Sequence, residues 1–208
     1  MNTVYIIDDH PVVRLAVRML LETEGYVVLG ESDNGVDGMQ QVRDSQPDLL
    51  ILDISIPRLD GLELLARYQH MGSGPRILVL TGQSPTLFAA RCMQSGACGF
   101  VRKGEDLSEL LSAVRAALSG YHYFPRQALD TLANPAAQRS DLARVQEIND
   151  RELMVLQLYA QGRSNKEIAQ SMFLSNKTVS TYKKRLMDKL GMGSVADLIG
   201  LAKRVGLV

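Results

Sequence analysis

Four short apolar runs punctuate the first half of the chain: residues 4–7, 49–52, 77–80 and 100–101. Each is rich in branched side chains and bounded by turn signals, as a strand buried on both faces of a parallel sheet should be. Between them apolar residues recur at helical spacing, as in Val12, Leu15, Met19 and again in Leu107, Leu110, Leu111, Val114. Strands alternating with helices predict an α/β, doubly wound parallel sheet. In such sheets the residues just past the carboxyl ends of the strands converge on one crevice, however far apart they lie in sequence. Here those residues are Asp8, Asp9, Asp53, Thr81 and Lys103.

The chemistry follows from that inventory. Crowded carboxylates repel one another unless a hard cation joins them, and Mg²⁺ binds one or two carboxylates while leaving room for phosphate oxygens. Asp8, Asp9 and Asp53 therefore read as a Mg²⁺ pocket. A carboxylate can attack phosphorus to give an aspartyl-phosphate, and Asp53, the lone acid on the 49–52 run, is the best placed to do so. Lys103 supplies a point positive charge for phosphoryl oxygens, the Thr81 hydroxyl can hydrogen-bond one of them, and Gly82 leaves the approach open. Each residue alone has a plain structural explanation, since an Asp after a strand caps helices and a Thr ending one has β-propensity. The whole set at successive strand ends points to phosphoryl transfer. No Gly-rich phosphate loop follows the first run, so the chain shows no means of making its own phosphoryl donor.

Periodicity weakens between residues 120 and 147. Gly120 to Pro125 ends a helix, with Tyr121, Tyr123 and Phe124 expected to pack on the first domain; Asn134 to Ser140 reads as a turn-rich linker, with a helical segment from Asp141. Helical signals then resume. Leu153, Leu156 and Tyr159 form one stripe closed by Gly162; Ser164 to Glu167 is a capping box before Ile168, Ala169 and Met172. Ser175 can cap a third helix with Val179, Leu186 and Leu190 inside and Gly191 as its stop, and Ser194 can cap a fourth. A short helix, a tight turn and a longer basic helix make a helix-turn-helix, whose second member enters the DNA major groove.

Charge sharpens this division. The net charge of zero conceals 10 lysines and arginines against 15 acids before Ser119, and 10 against 5 after Ile148. An acidic head suits a metal and a basic tail suits nucleic acid. The expected division is a domain over residues 1–119, a linker over 120–147 and a helix-turn-helix domain over 148–208.

Residues 1–119 resemble the receiver domain of two-component response regulators, which implies a flavodoxin-like, five-stranded fold. By position, Asp8 and Asp9 resemble the acidic pair, Asp53 the phosphoacceptor, Thr81 the switch hydroxyl, Phe100 the switch aromatic and Lys103 the fixed lysine, with the Ser55 backbone carbonyl as a further Mg²⁺ ligand. Gly104 departs from the proline that often follows that lysine. Residues 148–208 resemble the LuxR-type output domain of the NarL/FixJ family, carried by the run Ser164 to Ala169 with Thr178, Val179, Lys189 and Leu190 after it. The resemblance implies that Ser180, Thr181 and Lys184 face bases and that Lys166, Lys177, Thr178, Tyr182, Lys183 and Arg185 complete the DNA contact. Over its whole length the chain most resembles the BvgA and EvgA branch.

The expectation is a DNA-binding transcription regulator rather than an enzyme. It would be phosphorylated at Asp53 by a sensor histidine kinase, directly or through a phosphotransfer domain, and would dimerise on promoter DNA when phosphorylated. Two alternatives stay open. One is a phosphorylation-independent DNA binder that uses its receiver only to dimerise; the other is a phosphatase of the haloacid dehalogenase type, which calls for a second Asp where Ser55 stands. The sequence has no basic leader before an apolar segment and no apolar run near the roughly 20 residues of a membrane span, so a cytoplasmic protein is expected. Cys92 and Cys98 match no zinc or redox spacing and read as buried thiols, and His10 reads as a loop residue.

Overall fold

The computed structural model describes residues 2–57, 61–72, 74–104, 107–126, 128 and 141–207. The turn-rich stretch at 134–140 lies outside them. The chain divides into two compact units, Met1–Leu132 and Ala133–Val208.

The first unit is a five-stranded parallel sheet in the order β2-β1-β3-β4-β5. Its strands are β1 (Thr3–Ile7), β2 (Val27–Ser32), β3 (Leu49–Leu52), β4 (Arg76–Thr81) and β5 (Gly99–Arg102). Helices α1 (Pro11–Thr23), α2 (Gly35–Ser45), α3 (Gly61–Met71), α4 (Pro85–Gln94) and α5 (Leu107–Leu118) connect them or follow them. On one face Val4, Ile6, Leu49, Ile51, Leu78, Leu80 and Val101 form a single core with Val17 and Leu21 of α1 and Leu110, Ala113, Val114 and Ala117 of α5. The alternate strand residues point to the other face, as the period of two requires.

Two sequence expectations change here. β2 was not among the four apolar runs, because it is an edge strand whose residues are mostly half-buried, with Gly30 and Glu31 in its middle. In α1 the helical spacing holds, but Val12, Leu15 and Met19, the residues that display it, are exposed, while Val17 and Leu21 are buried and Val13 and Leu20 pack against the core. Both stripes satisfy a period of 3.6, and only the sheet decides which one is covered.

Beyond α5, Tyr123 continues the sheet. It pairs in parallel with Gly99; its N–H donates to the Cys98 carbonyl at 2.9 Å and its carbonyl accepts from the Phe100 N–H at 2.8 Å. This segment covers part of an otherwise open strand edge.

The second unit contains α6 (Asp141–Gln146), α7 (Asp150–Ala160), α8 (Asn165–Ser171), α9 (Asn176–Leu190) and α10 (Val195–Arg204). Leu153, Leu156, Ile168, Val179, Leu186, Leu190, Leu198 and Leu201 form its buried interior. The expected caps are in place at Ser164, Ser175 and Ser194, each accepting from the backbone N–H three residues on. Gly191 closes α9 at φ 62°, a left-handed conformation that favours glycine. The helix from Asp141 packs within this unit: Ala143 and Val145 are buried, and Arg204 Nε reaches Asp141 Oδ2 at 2.7 Å. Among the described residues no helix is long and apolar enough to cross a membrane.

Candidate phosphoacceptor site and DNA-reading helix

The crevice is built by carrying the sheet's backbone ladder one residue past its strands. Asp8 N–H donates to the Ser32 carbonyl at 3.0 Å, Asp53 N–H to the Ile7 carbonyl at 2.8 Å and Lys103 N–H to the Thr81 carbonyl at 2.7 Å. The side chains that follow are thereby fixed at neighbouring strand ends. Gly61 lets α3 start hard against this loop, since a Cβ there would sit 2.5 Å from Ile54 Cα and 2.6 Å from the Asp53 carbonyl oxygen.

Asp8 and Asp53 are each 2% exposed and Thr81 is fully buried. Lys103 bridges the two carboxylates, with Nζ 2.5 Å from Asp53 Oδ2 and 2.7 Å from Asp8 Oδ2. Burial pushes the Asp8 carboxyl above the usual range against the pull of its hydrogen bonds from Lys103 and the His10 backbone. Burial pulls Lys103 down, but the charges and hydrogen bonds of Asp53 and Asp8 outweigh it and hold the ammonium above its ordinary value. Two buried carboxylates thus share one half-buried cation, leaving this trio a net negative charge when both acids are ionised.

Asp8, Asp9, His10 and Asp53 each place a ligand atom within 4.8 Å of the others, a donor set able to hold a metal ion. The sequence reading counted His10 as a loop residue. It caps Asp8 through its backbone N–H at 2.9 Å and brings Nδ1 to 2.7 Å from Asp9 Oδ1. Sequence reasoning also missed Gln83, whose Nε2 donates to Ser55 Oγ at 2.6 Å, while the Ser55 N–H donates to Asp53 Oδ1 at 3.0 Å. Nothing in the local pattern marks Gln83; its place follows from the turn after β4. Arg14 Nη1 fixes the Asp8 carbonyl at 2.5 Å. Gly82 has open space around it. Gly104 takes φ 93°, which a proline ring locked near −65° cannot reach, so this loop differs in geometry from one with proline there. Phe100 is fully buried in β5.

In the second unit, α9 presents Lys177, Ser180, Thr181, Lys184 and Arg185 to solvent, with Tyr182 and Lys183 half-buried. Lys177, Thr178, Thr181, Tyr182 and Arg185 line a shallow hollow of about 290 Å³. Asn165 Nδ2 of α8 donates to Ser180 Oγ at 3.2 Å, tying the two helices at the start of the exposed face. Lys166 is exposed on α8.

A buried acid crevice on a doubly wound sheet and a basic helix on a helix-turn-helix define a two-domain signalling regulator. Residues 4–115 match the response regulator receiver domain, and residues 147–202 match bacterial regulatory proteins of the luxR family. The chain is 56% identical over 206 residues to the virulence factors putative positive transcription regulator BvgA of Bordetella pertussis, covering 99% of each. It is 50% identical to a putative transcriptional regulator of Pseudomonas aeruginosa, covering 100% of each. Among solved structures it resembles RcsB from Salmonella enterica serovar Typhimurium bound to promoter rprA with the phosphomimetic BeF3⁻, at 27% identity and a TM-score of 0.69, covering 97% of this chain and 98% of that one. The chain belongs to the NarL/FixJ family of two-component response regulators and is a transcription regulator with a LuxR-type DNA-binding domain.

Proposed function

We propose that the protein is a phosphorylation-controlled promoter binder, with Asp53 as the residue that accepts the phosphoryl group. The observation that carries this is the Asp53 side chain, buried at 2% exposure yet paired with Lys103, whose Nζ lies 2.5 Å from its Oδ2. The clustered Asp8, Asp9 and Asp53 carboxylates fit Mg²⁺ and would hold it, with the Ser55 backbone carbonyl as the further ligand the family resemblance implies. When bound, that ion would neutralise charge on the carboxylates and the incoming phosphoryl oxygens.

The residues of the chain do the rest. An Asp53 carboxylate oxygen attacks phosphorus, the P–N bond of a kinase or phosphotransfer-domain phosphohistidine breaks, and the electron pair returns to that histidine. Lys103 Nζ turns from the carboxylates to the new phosphoryl oxygens, and the Thr81 hydroxyl donates to one of them. Thr81 is drawn inward by that bond, and Phe100, three residues before Lys103, moves into the space it leaves. The product carries an added charge of about −1.5 to −2. That charge biases a two-state surface toward homodimers, whose paired α9 helices take two half-sites set by the two-fold axis. Ser180, Thr181 and Lys184 read bases; Lys166, Lys177, Thr178, Tyr182, Lys183 and Arg185 hold phosphates and register.

The test is intact mass after incubation with Mg²⁺ and acetyl phosphate, with promoter affinity measured on the same samples. Wild type should gain one phosphoryl group and bind DNA more tightly, and Asp53→Asn should do neither. Equal DNA binding by both, with no mass added to wild type, would leave a DNA binder that uses its receiver only to dimerise.

A further inference from the structure

At the opposite end of the sheet from Asp53, where Pro47 leads into β3 and Pro75 into β4, a cavity of about 500 Å³ opens between α2 and α3. That volume lies within the range of small-molecule sites. Its wall mixes hydrocarbon from Val42, Pro47, Met71 and Pro75 with the polar side chains of Tyr68, Arg43 and Gln46. Tyr68 is only 6% exposed, and its hydroxyl has no hydrogen-bond partner among the described residues. A phenylalanine would fill the same space without leaving a buried donor unpaired, so the hydroxyl contributes nothing visible to the fold itself.

Burial holds this phenol's pKa up at about 12 against the opposing charge of Arg43, so it remains a neutral donor and lies within reach of the guanidinium's field. Among the described residues Arg43 joins no ion pair. Its Nη2 meets only the sulfurs of Met39 and Met71, at 3.9 and 3.6 Å, which are weak acceptors. Arg43 and Met71 are both exposed, so their long side chains can swing to admit a guest. Tyr68 and Arg43 thus line one cavity, and among the described residues neither the hydroxyl nor the guanidinium has a strong acceptor, while Gln46 adds an amide beside the apolar side chains. A carboxylate satisfies both donors at once, and hydrocarbon satisfies the walls; inorganic phosphate would match only the first.

We propose that this cavity binds a small aliphatic carboxylate, its oxygens bridging the Tyr68 hydroxyl and the Arg43 guanidinium and its tail lying against Val42, Pro47, Met71 and Pro75. The site stands apart from the acidic crevice and does not depend on the phosphoryl reading.

The test titrates the full chain with sodium hexanoate and, as the neutral control, hexanamide, followed by saturation-transfer NMR and calorimetry. Hexanoate should bind saturably and the amide at least about tenfold more weakly, because the charge-assisted bonds are lost. Arg43→Gln and Tyr68→Phe should each weaken hexanoate at least about fivefold, with Tyr68→Phe melting no lower than wild type because its hydroxyl has no partner to lose. The proposal is overturned by absent or non-saturable hexanoate binding, by equal binding of acid and amide, or by variants that bind like wild type. A Tyr68→Phe protein that melts several degrees lower would also overturn it, since the hydroxyl would then be serving the fold.

Discussion

The two units treat charge in opposite ways. In the receiver, Asp8, Asp53 and Lys103 are withdrawn from water and satisfied by one another, with Lys103 Nζ within 2.7 Å of both acids. In the helical unit, Lys177, Lys184 and Arg185 stand in solvent along α9. A trio so withdrawn from water is costly to break, and in the proposed function it answers one added phosphoryl group. An exposed row is worth little until a polyanion arrives and releases its counterions. The helical unit has its own buried charge, Glu152, at 1% exposure, but there it accepts from the Asn149 N–H at 3.0 Å and from Lys189 at 2.8 Å, both groups of its own unit. Burial alone therefore does not mark a switch. What sets the proposed switch apart is that Asp53 lies in one crevice with Asp8, Asp9 and Thr81.

The comparison breaks most severely if the receiver loses its cation. Lys103→Ala leaves two buried acids without their bridging cation, each keeping one backbone N–H donor, from His10 and Ser55, and breaking such a buried pair typically costs about 3–5 kcal/mol. Urea denaturation of the variant in metal-free buffer should show a receiver transition lowered by about that amount, alongside loss of acetyl phosphate labelling. A transition at the wild-type position would mean that the acids do not rely on Lys103, and the contrast between the units would collapse.

The next effect separates roles within the exposed row. Lys184→Ala should weaken binding to the specific promoter by about 1–3 kcal/mol while sparing unrelated DNA, as loss of a base contact does. Lys177→Ala should weaken both alike and reduce the salt slope by about one. Footprinting and salt titration of affinity read the two outcomes. If Lys184→Ala weakened both DNAs equally, that lysine would be holding phosphate.

How much of this was legible in sequence follows from where each signal lies. The acidic crevice was legible because strand ends in a parallel sheet must converge, so Asp8, Asp53, Thr81 and Lys103 could be placed without knowing a single contact. The caps of α8, α9 and α10 were legible because a cap is local, spanning three residues. The covered face of α1 was not, since Val12, Leu15, Met19 and Val13, Val17, Leu20 are equally periodic and only packing chooses between them. β2 escaped because an edge strand with Gly30 and Glu31 does not read as an apolar run. Gln83, and the bond between Phe100 and Tyr123, are tertiary facts with no local signature. That bond joins the proposed switch aromatic directly to the start of the 120–147 segment.

The smallest effect belongs to the exposed side of the comparison and tests whether it is built by caps rather than by charge pairs. Ser164 Oγ accepts from the Glu167 N–H at 3.3 Å, while Glu167 Oε2 accepts from the Ser164 N–H at 2.8 Å and from its hydroxyl at 2.7 Å. Ser164→Ala should cost about 1 kcal/mol, the usual value of an N-cap, read as a lower melting midpoint of the helical unit. The Ser164 hydroxyl, then its backbone N–H, hold the Glu167 carboxyl below its ordinary value of 4.5. A lowered acid contributes stability that is fully present above the unfolded value and disappears as pH falls through the folded one. The melting midpoint of wild type should therefore fall between about pH 5 and pH 3 by more than that of Glu167→Gln, whose amide can still close the capping box but cannot titrate. Equal falls in both proteins would show that the carboxylate's charge does nothing for α8, and that the exposed unit is held by its apolar stripe and hydroxyl caps alone.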